Sequence, residues 1–206
     1  MCMLNMTDDG VMHGSINSKE SGYNGLKIRS KLRGDGEEKY VEDFKSAHTG
    51  WAINDIKVEN PEPISKPVKQ AITGDISNHA EVMGRMIYID PILIDKIEEN
   101  PFKQEERKLP IEFVIPIKNS YMLNLEIPEG YAVEELPEQI NLRTPDKSAH
   151  LKYLVQVNGN RIQVVHSWGI DKTFYPPNAF AELKEFYALL VAKQSEQIVL
   201  KKVDTN

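Results

Sequence analysis

The sequence predicts a mainly β chain, a β-dominated α+β fold in two strand-rich parts, and three patterns point to it. Apolar and polar residues alternate over long runs, most clearly at Ala149, Leu151, Tyr153, Val155 and Val157 and again at Ile162, Val164, His166 and Trp168; this is the period of a strand with one buried face. Gly, Asn, Asp and Pro interrupt these runs at strand-length intervals. A long run of helical spacing comes only late, where Phe180, Leu183, Phe186, Tyr187, Leu190 and Val191 recur three and four apart.

The opening residues read as a hairpin. Met3, Leu4 and Met6 run into Asp9-Gly10, a strong two-residue turn signal, and Val11, Met12 and Ile16 continue as a second strand. The start is abrupt, as though the strand had been cut from something longer. After Gly22, Leu26, Ile28 and Leu32 sit among Lys27, Arg29, Lys31 and Arg33, which suits a short basic helix or an extended edge equally. Gly34-Asp-Gly36 reads as a turn before an amphipathic helix over 36–47, with Glu37 and Glu38 in its first turn and Tyr40, Val41 and Phe44 at helical spacing. Trp51, Ile53, Ile56 and Val58 suggest a strand with a bulge, ended by Pro61 and Pro63. Two further strands follow, over 68–76 and 85–90. Ile92, Leu93, Ile94 and Ile97 make a short apolar turn of helix before Asn100-Pro101. The charged stretch 103–108 marks the boundary between a first part, 1–107, and a second, 108–206.

The second part is expected to form a β-sandwich-like sheet with a C-terminal amphipathic helix. Ile111, Phe113 and Ile115 alternate, as do Tyr121, Leu123, Leu125 and Ile127; Pro128-Glu-Gly130 turns the chain into a short strand over 131–136. Asn158-Gly159 is a favoured hairpin turn pair between the two longest alternating runs. Beyond Pro176-Pro177, Asn178 is placed to cap a helix over about 178–195, and Gln197–Leu200 reads as a returning strand. Such an order fits two sheets packed face to face, or one sheet covered by the helix.

Composition narrows the partners. The chain has 206 residues, a formal charge of −6, 40% hydrophobic and 27% charged residues, ordinary values for a globular protein. Neither half has the basic surplus that releases counterions from a phosphate backbone, so no nucleic acid partner is expected. No apolar run approaches the ~20 residues of a membrane span. The N-terminus lacks the charged start, apolar run and cleavage site of a signal peptide, which leaves the compartment of this chain unassigned.

Reactive chemistry is mostly refused. Cys2, the one cysteine, precedes any helix and sits at a terminus expected to fray, so it is read as an incidental thiol. His13, His48, His79, His150 and His166 show no i, i+4 pairing, and no metal or other cofactor is expected. His166 reads as a satisfied core or edge histidine. The paired carboxylates Glu98-Glu99, Glu105-Glu106 and Glu134-Glu135 point apart on either a helix or a strand. Neither a phosphate loop nor a serine-nucleophile elbow is present. The candidate ligand-binding residues are Trp168, Phe174 and Tyr175, an aromatic group able to stack on sugars or peptides; the plainer reading has the two later rings plug the seam between sheet and helix.

Several stretches carry a resemblance. Asn100-Pro-Phe102 with Glu106-Arg107, Leu125-Glu-Ile-Pro-Glu-Gly-Tyr131 leading to Val133-Glu-Glu-Leu-Pro137, Lys172-Thr-Phe-Tyr-Pro-Pro177, Leu183-Lys-Glu-Phe-Tyr187 and the run from Ala192 to Lys202 resemble the C-terminal region of large bacterial transglutaminase-like proteins. More loosely, Gly14-Ser15-Ile16, Gly22-Tyr23 with Leu26 and Arg29, and Tyr88 to Pro91 resemble the segment between their catalytic core and that tail. The resemblance implies a non-catalytic accessory domain that supports a transglutaminase-like catalytic domain or helps it bind a peptide or glycan, within a parent family that is periplasmic or secreted. The Cys-His-Asp triad of the family belongs to a domain that would lie before Met1, and no residue here matches it. A second expectation, of another class, is an independent ligand-binding β-sandwich that uses the Trp168 to Tyr175 surface for a carbohydrate or peptide.

Overall fold

A computed structural model describes residues 1–203; the last three residues of the second part, 204–206, lie outside the described residues. Strands β1 (Cys2–Met6) and β2 (Met12–Glu20) form the expected hairpin. Gly10 takes φ 85, a value open to glycine, and the Asp9 carboxylate accepts the Val11 N–H at 3.2 Å. Cys2, Leu4 and Met6 point to the buried face. The basic stretch then proves helical: α1 runs over Gly22–Ala47 and breaks at Gly36 (φ 84, ψ 167), so only the last glycine of the expected turn is a turn. Arg29, 3% exposed, donates through Nη2 to the carbonyls of Asn60, Pro63 and Lys66 and so ties α1 to the proline-rich loop.

Strand β3 (Trp51–Glu59) carries the expected bulge, between Ile53 and Asp55, and pairs with β4 (Val68–Ile76). The strand expected over 85–90 is β6 (Met86–Ile89), which forms a hairpin with β5 (Ala80–Met83), a strand not anticipated from sequence. Ile92 to Ile97 is not a helical turn. It is an irregular segment in which Ile92 and Leu93 are buried and Asp95 has φ 54. Its apolar residues answer to a packing seam, and that mimics a helical pattern over so short a run.

Next come β7 (Ile111–Glu112), β8 (Ile117–Glu126), β9 (Tyr131–Glu135) and an unanticipated β10 (Ile140–Arg143). The long hairpin is β11 (Ala149–Asn158) with β12 (Arg161–Ile170). Its loop is Gly159-Asn160, one residue later than expected, because Asn158 pairs with Arg161 and Gly159 supplies the positive φ of 61. After β13 (Phe174–Tyr175), a short 3-10 turn over Pro177–Ala179 leads into α2 (Phe180–Gln194). Asn178 lies inside that turn and Ala179 takes the cap position, with no side-chain cap, so Asn178 does not play the expected role. Strand β14 (Ile198–Lys202) closes the described chain.

Eight strands form one sheet in the order β10-β11-β12-β8-β1-β2-β4-β3, antiparallel except that β1 runs parallel to β8. Four form a second, β5-β6-β14-β9, and β13 and β7 a third. The eight-stranded sheet contains strands from both sides of residue 107. Its long strands serve two cores. Tyr153, Val155, Ile162 and Val164 pack with Ile87, Ile89, Ile198 and Leu200 of the four-stranded sheet; Leu151, Trp168 and Ile170 pack with Leu183, Phe186, Tyr187 and Leu190 of α2. Both arrangements open from sequence therefore occur side by side, and the β-dominated α+β class holds. Each fully buried aliphatic side chain removed from water stabilises the fold by about 1.5–3 kcal/mol. No helix among the described residues is long and apolar enough to cross a membrane.

Candidate functional site

The aromatic trio of the sequence is divided by its packing. Trp168, 6% exposed, lies on the inward face of β12 with its ring 6.1 Å from that of Tyr187. Tyr175 is buried, its hydroxyl donating to the Ser148 carbonyl at 2.8 Å and its ring edge-on to Phe113. Phe174 points the other way and is 53% exposed. Two of the three rings thus fill the core beneath α2. Burial raises the hydroxyl pKa of Tyr175, and pushes that of Tyr187 to about 12.

Cys2 does not fray. It is fully buried at the centre of the large sheet, where burial raises its thiol pKa, and this reverses the expectation of a loose terminus. His166 sits as a satisfied core histidine: 1% exposed, Nδ1 donating to the Lys152 carbonyl at 3.2 Å, Nε2 facing the Gln194 amide at 2.9 Å. Burial holds its pKa below the ordinary imidazole value. His13 and His150 pair with Asp75 and Asp171 at 2.8 and 3.1 Å. Among the described residues no group of three or more His, Cys, Asp or Glu is placed to hold a metal ion.

The larger concavity reaches Trp168 but neither Phe174 nor Tyr175. A groove of about 820 Å³ runs between β2 and β8, floored in part by Trp168 and Tyr121 and flanked by Ile94, Asp95 and Lys96. One wall presents Asn17, Ser18, Lys19 and Glu20; the other, Ile117 to Tyr121. Tyr121 is fixed by donating its hydroxyl to the Pro91 carbonyl at 2.8 Å. Burial raises the carboxyl pKa of Glu20, opposed by the Asn24 amide it accepts at 3.2 Å and reinforced by Asp95. The Trp168 indole Nε1–H is buried without a partner.

A second concavity of about 520 Å³ shares the Ile94 to Lys96 ridge. Phe44 stacks on His48 at 4.1 Å, His48 lies 4.7 Å from Trp51, and Trp51 meets His79 edge-on at 6.2 Å. Lys96 and Asp90 form a partly buried ion pair at 2.5 Å. Burial lowers the pKa of His79, against the pull of Asp90. Both concavities escaped the sequence reading. Their residues come from segments far apart in the chain, and the local signal, the run of apolar residues from Ile92, has the spacing of a helical turn.

A family model described as a domain of unknown function with solved structure (DUF3858) matches residues 85–200. A crystal structure of a protein from Parabacteroides distasonis ATCC 8503, described as a "putative protease", is similar with a TM-score of 0.42 and 13% identity; the match covers 48% of this chain and 19% of that one. No curated protein matches.

Proposed function

The chain belongs to the DUF3858 family of domains of unknown function, and on that premise we propose that it is a non-catalytic accessory domain of a transglutaminase-like protein, helping its catalytic domain bind a peptide or glycan. The observation that carries the reading is the groove between β2 and β8. Its walls come from both sides of residue 107, and they offer amide, hydroxyl, ammonium and carboxylate groups to one elongated ligand. The stretches that resemble transglutaminase-like tails support that parent. The state of two reactive side chains supports this role: burial raises the Cys2 thiol pKa, and His166 is engaged in core hydrogen bonds.

The test is association. Purified chain added to a separately expressed transglutaminase-like domain should co-elute with it and change its turnover of a glutamine-containing peptide. Separate elution together with an unchanged rate would show the proposal to be wrong. The aromatic trio does not form one surface: Trp168 reaches the groove, Tyr175 lies beneath α2 and Phe174 is exposed.

A further inference from the structure

The second concavity stands toward the other end of β2 from the groove. Trp51 opens β3 opposite Ile76, Ile76 faces Met12, and Met12 pairs with Met6; the groove is walled instead by Asn17 to Glu20. The segments that meet there are tied together. Gly50, between α1 and β3, takes φ 83, and its carbonyl accepts the Ser77 N–H at 3.1 Å and the Ser77 hydroxyl at 2.7 Å. Asn78 donates its amide to the Thr49 carbonyl at 2.8 Å. A Cβ at Gly50 would stand 2.9 Å from that of Asn78, so glycine is what lets these turns approach. The irregular segment after β6 is held where the Asp90 N–H donates to the His79 carbonyl at 2.8 Å. The walls therefore keep their shape through bonds of their own.

The polar groups of the lining are only partly used. Asp90 pairs through Oδ2 with Lys96 at 2.5 Å, while its Oδ1 is buried with no hydrogen-bond partner, and so is Nδ1 of His79. Buried polar atoms of native proteins nearly always have a partner, so two such atoms on residues of one lining mark where the polar groups of a ligand belong. Burial lowers the His79 pKa, and a neutral imidazole can accept as well as donate. Beside them Trp51 is half-buried, with the rings of His48 and His79 at 4.7 and 6.2 Å. His48 is fixed by stacking on Phe44 and by donating Nδ1–H to the Phe44 carbonyl at 2.8 Å. Flat aromatic surface next to a few directed polar groups suits a sugar ring. Its C–H face rests on the rings, and its hydroxyls, each both donor and acceptor, meet carboxylate and imidazole. Charge narrows the class. Asp90, Asp95 and Glu98 line the concavity against Lys96, which disfavours an anionic guest; a cation drawn to Asp90 would have to sit beside the Lys96 ammonium.

We propose that this concavity binds a neutral oligosaccharide, with a sugar ring packed against Trp51 and His48 and neighbouring hydroxyls bonded to Asp90 Oδ1 and His79 Nδ1. Its volume of about 520 Å³ suits a short glycan. The site shares only the Ile94 to Lys96 ridge with the groove, so it goes beyond the accessory reading and does not depend on it.

The test is titration of the intact chain with cellobiose, maltose and N,N′-diacetylchitobiose, followed in the proton–nitrogen correlation spectrum, where the indole signals of Trp51 and Trp168 are separate reporters. One or more of these sugars should bind with a Kd of about 1 mM or tighter and move the Trp51 and His79 signals. Asp90→Asn, which keeps the side-chain shape, should weaken that binding about tenfold. His79→Leu removes no side-chain hydrogen bond among the described residues and should weaken it about threefold or more, which keeps the site testable if Asp90→Asn fails to fold. The uronate counterpart of the bound sugar should bind less well. Failure of all the sugars to move Trp51, binding indifferent to the variants, or a uronate that binds as tightly would each overturn the site. So would a lysine-rich peptide that moves the same signals where the sugars do not. A sugar that moves Trp168 and leaves Trp51 still would overturn it as well, while favouring the groove; co-elution with a catalytic domain is read separately and is untouched by either result.

Discussion

Strand β8 is bonded to β12 along the whole of Arg161–Ile170, whereas on its other side β1 reaches only Leu123 to Glu126. The first side is roofed by α2 at one end and by the four-stranded sheet at the other, so nearly every inward residue is buried. On the second side Met1 still exchanges hydrogen bonds with Asn17, and the groove is lined by the inward positions Asn119, Ser18 and Glu20. One sheet thus contains a half whose inward residues are apolar and one whose inward residues turn polar along the groove. Burying the side chains of the first half stabilises the fold, while the polar inward residues of the second add little to the core.

The largest effect should come from testing the closed half at its border with the groove. Trp168→Ala removes a ring packed against Tyr187 and is expected to cost about 3–5 kcal/mol, read as a lower midpoint in urea unfolding. A loss below about 0.5 kcal/mol would place that ring on a surface and dissolve the distinction between the two halves. Next in size is the loop beside the open half. Arg29→Met leaves the Asn60, Pro63 and Lys66 carbonyls without their charged donor, at an expected cost of about 2–4 kcal/mol. Limited proteolysis should then cut first between residues 60 and 67; unchanged resistance there would show that the loop does not depend on α1.

A smaller effect is expected from pH, and it is confined to the closed half. The His166 imidazole has a pKa below its unfolded value because it is buried. Unfolding therefore takes up a proton, so the stability gained from the neutral ring is complete above the unfolded pKa of ~6.5 and is lost as pH falls through it. Urea midpoints measured from pH 8 to pH 5 should decline, and less steeply in His166→Gln. An equal slope in the variant would assign the decline to other groups, His79 first among them, since burial lowers its pKa as well.

The closed half was largely legible in the sequence because its signals are local. Period-2 runs gave β11, β12 and most of β8, and helical spacing gave the whole of α2. The errors there are shifts of one or two positions: the loop at Gly159 rather than Asn158, and the helix start at Phe180 rather than Asn178. The open half was not legible, because it depends on long-range pairing. Nothing in the five residues of β1 says that they pair with Leu123 rather than hang at an edge, and so Cys2 was expected at a fraying end although it is fully buried. The groove gathers residues of β2, β8 and the Ile94 to Lys96 ridge, which no local periodicity brings together.

The smallest expected effect is at Phe174. Its neighbour Tyr175 faces inward and pairs with Ile111, while Phe174, opposite Glu112 on the two-stranded ribbon, stands 53% exposed. Since a strand alternates its faces, one residue of the Phe174-Tyr175 pair must be surface if the other is core. Phe174→Ala should then change stability by no more than about 0.5 kcal/mol, and Tyr175→Phe by about 0.5–1.5 kcal/mol for the lost bond to Ser148. Chemical unfolding of both variants compares them directly. If Phe174→Ala were the more damaging of the two, the ribbon would be inverted and the aromatic surface would have to be rebuilt around Tyr175.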